Sequence, residues 1–184
     1  MIPIKLCYTI LLATLLASCK FNCSVGESKP GVKTKSVSSA DETTLTGAVI
    51  KNDIELEATG VKLKEAYLLD ADKNLLTENV TRVGNKIYIV IKTDTGWTKE
   101  NTKSFIGVAE RISTSGGKVV LDAADIFKDY ETTGLDADDC KLITISAVIT
   151  NVVAGAENFV VQFRVWDKKG NGEVKGKYKF SVKK

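Results

Sequence analysis

Phe159-Val160-Val161-Gln162-Phe163-Arg164-Val165-Trp166 and Val174-Lys175-Gly176-Lys177-Tyr178-Lys179-Phe180-Ser181-Val182 decide the fold. Phe159, Val161, Phe163 and Val165 recur at every second residue, and so do Val174, Tyr178, Phe180 and Val182 once Gly176 is counted in the series. Successive side chains of a strand point to opposite faces, so each stretch has one face to bury. Gly170-Asn171-Gly172 between them is turn chemistry. Two alternating strands joined by a short polar loop make an antiparallel hairpin. Matching the buried faces pairs Phe163 with Tyr178, Val161 with Phe180 and Phe159 with Val182, which leaves Lys169-Gly170-Asn171-Gly172 as the loop. The outward face then sets Trp166 opposite Lys175, Arg164 opposite Lys177 and Gln162 opposite Lys179, with Lys183 continuing the row.

The same period recurs upstream. Lys86–Lys92 alternates through Ile87, Ile89 and Ile91, and Leu142–Thr150 through Ile143, Ile145, Ala147 and Ile149. Weaker strand patterns cover 48–58, 61–69, 104–112 and 118–121. Turn signals separate them at Thr59-Gly60, Gly84-Asn85, Gly116-Gly117 and Gly155. Asp122–Tyr130 is the one helix expected, with Asp122 as its cap and Ile126, Phe127 and Tyr130 as its apolar side. About eight short strands between turns predict a mainly β chain, an antiparallel β-sandwich with one short helix over residues 47–184. Residues 48–83 could form a separate small subdomain, but one continuous sandwich is the simpler expectation.

The closing hairpin, Val165-Trp166-Asp167-Lys168-Lys169-Gly170-Asn171 followed by Tyr178-Lys179-Phe180-Ser181-Val182, resembles that of immunoglobulin-like modules in bacterial envelope proteins. The resemblance implies an immunoglobulin-like sandwich and a role in adhesion, spacing or partner binding, by analogy of fold.

The N-terminus carries a different kind of information. A leader with the single charge of Lys5 is followed by Leu6–Ala17, an almost wholly apolar run. That run is too short for a spanning helix, which needs about 20 apolar residues, and suits the core of a signal peptide. It ends in Leu16-Ala17-Ser18-Cys19, which resembles the lipobox of bacterial lipoproteins. The resemblance implies cleavage after residues 1–18 and a diacylglycerol on Cys19, so the membrane partner would be reached through lipid. Two acyl chains hold where one is marginal. Among lipoproteins, Lys20 in place of an acid after the cysteine favours the outer membrane. Phe21-Asn22 lacks the acidic signal of some surface-exported lipoproteins, which favours the periplasmic face. Residues 19–46, rich in Ser, Thr, Lys and Gly and broken by Pro30-Gly31, read as a flexible tether.

Charge and residue usage exclude several functions. Losing Lys5 leaves 25 basic against 23 acidic residues, too balanced to point to nucleic acid. The chain has no histidine, which removes the commonest general base and metal ligand and every Ser-His-Asp or Cys-His arrangement. The expectation is a protein that is not an enzyme and holds no cofactor or metal. Of four cysteines, Cys7 leaves with the signal and Cys19 takes lipid. Cys23 and Cys140 remain, as two free thiols or, in an oxidising compartment, a disulfide, the free thiols being preferred. Asp70-Ala71-Asp72-Lys73-Asn74 begins like a calcium loop but has Leu75 and Thr81 where the glycine and the acid belong, so it reads as a turn. Asp136, Asp138 and Asp139 form an acidic cluster before Cys140 that reads as a solvated loop.

The candidate binding residues are therefore Arg164, Trp166, Lys175 and Lys177 on the hairpin face, and Trp97 in the polar loop after Asp94-Thr95-Gly96. A cation beside an indole face suits an anionic partner or a sugar ring. The competing readings are lysines that guard a terminal strand against edge pairing, and a tryptophan packed over the end of the sandwich. The expected partner is a protein or a glycan. Should the chain prove catalytic, Asp122, Asp125, Asp136, Asp138 and Asp139 are the carboxylates that could carry it.

Overall fold

The computed structural model describes Leu45, residues 47–152 and residues 156–184. The expectations for residues 1–18, for Cys19, for Cys23, for the turn at Gly155 and, Leu45 apart, for the tether lie outside the described residues. In chain order the strands are β1 (Val49–Ile50), β2 (Glu55–Thr59), β3 (Lys62–Leu69), β4 (Val80–Arg82), β5 (Lys86–Thr95), β6 (Lys99–Glu100), β7 (Lys103–Ser104), β8 (Ile106–Thr114), β9 (Val119–Ala123), β10 (Leu135–Asp136), β11 (Leu142–Val148), β12 (Ala156–Asp167) and β13 (Glu173–Lys183).

They form two main sheets. One has the order β1-β3-β5-β11. The other has the order β2-β13-β12-β8-β9, with β4 also pairing with β13. A small third sheet, β10-β7-β6, accompanies them. The four strong alternating stretches are the middle of this architecture. Ile87, Ile89 and Ile91 of β5 lie opposite Ala147, Ile145 and Ile143 of β11, and these inward rows are buried. Phe159, Val161, Phe163 and Val165 of β12 and Val174, Tyr178, Phe180 and Val182 of β13 form the facing row, also buried. Both rows belong to one apolar cluster, so the molecule is a β-sandwich with a single shared core. Strands of 48–83 are divided between the two sheets, β1 and β3 in one, β2 and β4 in the other.

Two expectations need correction. The first is the hairpin register. Phe159 pairs with Phe180, Val161 with Tyr178, Phe163 with Gly176 and Val165 with Val174, two residues away from the register read off the sequence. A shift of two keeps every side chain on its face, so pattern alone does not separate the two registers. Packing does. A side chain at Gly176 would collide with the Glu55 carbonyl and the Phe163 ring, so the glycine makes room for the phenyl ring. The loop is also anchored one residue earlier, with Asp167 N donating to Gly172 O at 2.7 Å.

The second correction is the helix over Asp122–Tyr130. Val119–Ala123 is instead edge strand β9, with Asp122 opposite Arg111 of β8. Only Lys128–Tyr130 coils, as one short 3-10 turn, and a second such turn covers Asp139–Lys141. Val119, Val120 and Leu121 favour the pleated surface that β8 offers, and that pairing carries Asp122 into the sheet.

Candidate functional site

The outward face of the six-stranded sheet carries the hairpin residues singled out above. The observed register sets Trp166 opposite Glu173, Arg164 opposite Lys175 and Gln162 opposite Lys177. β13 is not an edge: β2 pairs along Glu173–Lys177, and β4 along Ser181–Lys183. The lysines therefore do not guard a free terminal strand. They meet the glutamates of β2, Lys175 Nζ at 3.0 Å from Glu57 Oε2 and Lys177 Nζ at 2.9 Å from Glu55 Oε2. The hydrogen bond to Glu57, and then its charge, raises the Lys175 pKa above the ordinary lysine value. Arg164 reaches Glu173 Oε2 through Nη2 at 2.6 Å and Nε at 2.7 Å. Its guanidinium also lies 4.9 Å from the centre of the Trp166 ring.

The expected basic row is thus a lattice of alternating charges around one indole. Lys175 and Lys177 remain exposed, so the lattice faces solvent. Trp166 is half-buried because its ring lies over Gly107 of β8, where any Cβ would collide with it. The indole is held flat against the sheet with Arg164 beside it.

Trp97 belongs elsewhere. It is 8 % exposed, packs in the core cluster and donates from Nε1 to Thr93 Oγ1 at 3.1 Å. Gly172 of the hairpin loop lies against its ring. The next residue, Thr98, donates its backbone N–H to Asp167 Oδ2 at 2.5 Å, while Asp167 Oδ1 accepts from Lys169 N at 2.9 Å. Trp97 therefore fills the space beneath the loop and offers no exposed ring for stacking.

The candidate carboxylates do not converge. Asp122 pairs with Arg111 at 3.2 Å, Asp136 with Lys103 at 3.1 Å, and Asp138 with Lys141 at 2.7 Å. The hydrogen bond from Lys141, and then its charge, holds Asp138 below the usual carboxylate range. Asp125 is the most enclosed of these acids. Its carboxylate accepts from Val108 N at 3.1 Å, Phe127 N at 2.9 Å and Lys168 Nζ at 2.6 Å. Burial pushes its pKa up, but Lys168 and the two N–H groups outweigh burial and hold it down. Asp125 thereby ties the start of the 3-10 turn to β8 and to the hairpin loop. Asp70 spends Oδ1 on the backbone N–H groups of Asp72 and Asn74, at 2.9 and 2.8 Å, a turn closed by its own side chain. Among the described residues no group of three or more acids or cysteines could hold a metal ion. Cys140 is a free, buried thiol. Burial first, then the charges of Asp139, Asp136 and Asp167, push it up to about 11.

Three features escaped the sequence reading. Glu110 of β8 faces the core, opposite Phe163, and is only 3 % exposed. Its Oε1 and the Tyr178 hydroxyl are both buried without a hydrogen-bond partner among the described residues. Burial pushes the Glu110 pKa from 4.5 to about 7. Burial and then the Glu110 carboxyl raise that of Tyr178. The alternation Ile106, Val108, Glu110, Ile112 carries the signal, since it puts an acid in the inward series. Second, Tyr67 of β3 and Tyr88 of β5 lie half-buried on the outward face of the four-stranded sheet. Lys92 Nζ is 5.3 Å from the Tyr67 ring centre and Lys73 Nζ 3.0 Å from that of Tyr88. Both tyrosines fall out of phase with the buried isoleucines, which marks them as outward. Third, Lys51, Asn52, Asp53 and Leu76–Asn79 line an open depression of about 540 Å³. Asn52 and Asp53 adopt positive φ there, 61° and 51°, the left-handed region that Asn and Asp tolerate better than other non-glycine residues, so the Asn-Asp pair is the signal that could have marked the turn.

No protein-family model and no curated protein matches this chain. Among solved structures it is similar to the C-terminal domain of wzt, at 10 % sequence identity and a TM-score of 0.43, over 82 % of this chain and 90 % of that one.

Proposed function

We propose that this chain is a lipid-anchored cell-envelope protein whose sandwich binds or scaffolds a partner on its open sheet faces, without catalysis. The observation that carries the binding role is where the functional groups sit. The Arg164–Trp166 pair and the tyrosines Tyr67 and Tyr88 lie on solvent-facing sheet surfaces, while Asp122, Asp125, Asp136 and Asp138 each hold a structural partner. Rigid aromatic and guanidinium groups on a flat face suit contact with a macromolecule. Anchoring rests on Leu16-Ala17-Ser18-Cys19. With Lys20-Phe21-Asn22 behind it, the reading favours the periplasmic face of the outer membrane.

The sandwich is further proposed to be of the immunoglobulin-like kind. Its support is two mainly antiparallel sheets on one core, parallel only where β1 meets β3 and β4 meets β13, with the chain passing repeatedly between them and closing on the β12–β13 hairpin. A second reading is a surface adhesin or glycan-binding lipoprotein. It is favoured by the Trp166 indole, half-buried on the outward face with the Arg164 guanidinium beside it, an amphipathic ring of the kind that contacts sugars.

The test is mild cross-linking in membranes followed by capture of the full chain, comparing wild type, Cys19→Ala, Arg164→Ala/Trp166→Ala and Tyr67→Ala/Tyr88→Ala. Loss of the captured partner in a surface variant that remains folded supports sheet-face binding and assigns the face. Retention of the same partners in both double variants contradicts it. Capture of a saccharide in place of a protein selects the second reading.

A further inference from the structure

The open edges of the two main sheets are not alike. Among the described residues, β1 ends the four-stranded sheet with only Val49–Ile50. β2 ends the six-stranded sheet with Glu55 and Glu57 on its outward side. β9 ends the other side of that sheet with a register shift against Ile112/Ser113 and with Asp122. Shortness, charge and a bulge are the devices that blunt edge pairing. β11 has none of them.

Leu142-Ile143-Thr144-Ile145-Ser146-Ala147-Val148 carries no charge, proline or glycine. It pairs with β5 along its whole length without a register shift. Its other edge has no strand neighbour among the described residues. Leu142 and Val148 are 54 % and 42 % exposed, and Thr144 and Ser146 between them are also exposed. An uncharged edge without a bulge is a template for another strand.

We propose that the β11 edge pairs antiparallel with β11 of a second copy, about a two-fold axis at Ile145. The side-chain pattern selects this occupant. About Ile145, Leu142 lies opposite Val148 of the second copy, and Thr144 opposite Ser146 of the second copy. The symmetry repeats both pairs. Apolar meets apolar and hydroxyl meets hydroxyl on the outward face, and Ile143, Ile145 and Ala147 stay on the core side. Centring on Thr144 sets Leu142 against Ser146, and centring on Ser146 sets Thr144 against Val148, so both mix polar with apolar. A centre between residues turns one copy's core face outward. A two-fold interface requires self-complementarity of this kind. The product is one continuous sheet in which the two four-stranded sheets join through their β11 edges. This inference rests on the edge alone and is independent of the partner proposed above.

Sedimentation equilibrium tests it on residues 19–184 carrying Cys19→Ala, so that neither lipid nor the apolar leader Leu6–Ala17 drives association. Thr144→Lys/Ser146→Lys sets lysine against lysine across the axis, and Thr144→Lys/Ser146→Glu sets lysine against glutamate. Both positions are exposed, and unfolding curves check that the variants remain folded. The expected result is a reversible dimer of the Cys19→Ala chain. The dissociation constant should rise about tenfold or more in the lysine pair and return to within about threefold in the charge-swapped pair at low salt. A chain that stays monomeric at all concentrations overturns the proposal. So does a dimer indifferent to the lysine pair, or one that the charge swap weakens as much. Equal weakening by both variants would mean that the two copies do not meet in the register centred on Ile145.

Discussion

Replacing Glu110 with glutamine should stabilise the protein, and by an amount that depends on pH. Glu110 occupies an inward position of β8, opposite Phe163, with its Oε1 buried and unpartnered. Burial raises its pKa from 4.5 to about 7. The direction of the effect follows from which state ionises first. Below about pH 4.5 the acid is protonated in both the folded and the unfolded chain, and the native state keeps its full stability. Between 4.5 and 7 the unfolded chain releases its proton while the folded one holds it, so stability falls as pH rises. Above 7 both states are ionised and the loss is constant. At about 1.4 kcal/mol per pH unit, the full loss is on the order of 3 kcal/mol. Glutamine keeps the shape of the protonated acid and cannot ionise. Urea unfolding of wild type and Glu110→Gln at pH 4, 5.5, 7 and 8.5 should therefore give curves that differ by less than about 1 kcal/mol at pH 4, with the variant ahead by about 3 kcal/mol at pH 8.5. Carboxylates with lowered pKa values, such as Asp94 and Asp138, act in the opposite direction but cancel in the difference, because both proteins contain them. A difference that does not change with pH, or a variant less stable at pH 8.5, would refute the reasoning and place a partner on the carboxylate.

Three further outcomes follow from the same packing. Asp125→Ala should cost about 3–5 kcal/mol, because it strands the largely enclosed Lys168 ammonium and two backbone N–H groups; chemical denaturation measures it. Since the Asp125 pKa is lowered, its contribution should be present above the ordinary carboxylate range and lost as pH falls through its folded value. Trp97→Ala should cost about 3–5 kcal/mol in unfolding experiments while leaving capture of a partner by the folded protein unchanged, because Trp97 fills the core under the hairpin loop. In native protein at pH 8 Cys140 should resist iodoacetamide, and it should react once urea exposes it. Rapid labelling of the folded chain at Cys140 would contradict both its burial and its raised pKa.

The four strands β5, β11, β12 and β13 are legible because their apolar residues fall on alternate positions and the core accepts one face of each. The short strands β1, β4, β6, β7 and β10 leave no such trace, since each has only two or three residues and exists because a neighbour supplies the ladder. The hairpin register illustrates a deeper limit. Face parity constrains pairing to steps of two, and choosing between steps requires the Phe163 ring over Gly176 and the Asp167 link to Thr98, both tertiary facts. The helix expected over Asp122–Tyr130 was lost for a related reason, because pairing with β8 outweighed local propensity.

The candidate site divides in the same way. Arg164 beside Trp166 on the outward face follows from period two and is found there. That Lys175 and Lys177 are balanced by Glu57 and Glu55 depends on β2 lying next to β13, which nothing local reveals. Trp97 beside polar neighbours leaves two readings, an exposed ring or packing over the end of the sandwich, and the structure takes the second, because the ring lies in the core under the hairpin loop.

The central claim is that a lipid on Cys19 holds a binding sandwich at the membrane. Intact-mass and N-terminal peptide mass spectrometry of the full-length gene product, expressed in a bacterium and purified from its membranes, addresses it directly. The expected product is a mature chain that begins at Cys19 and carries a diacylglycerol on that residue, with Cys19→Ala leaving the unprocessed precursor. A membrane-derived chain that begins at any other residue, or an unmodified Cys19, would contradict it.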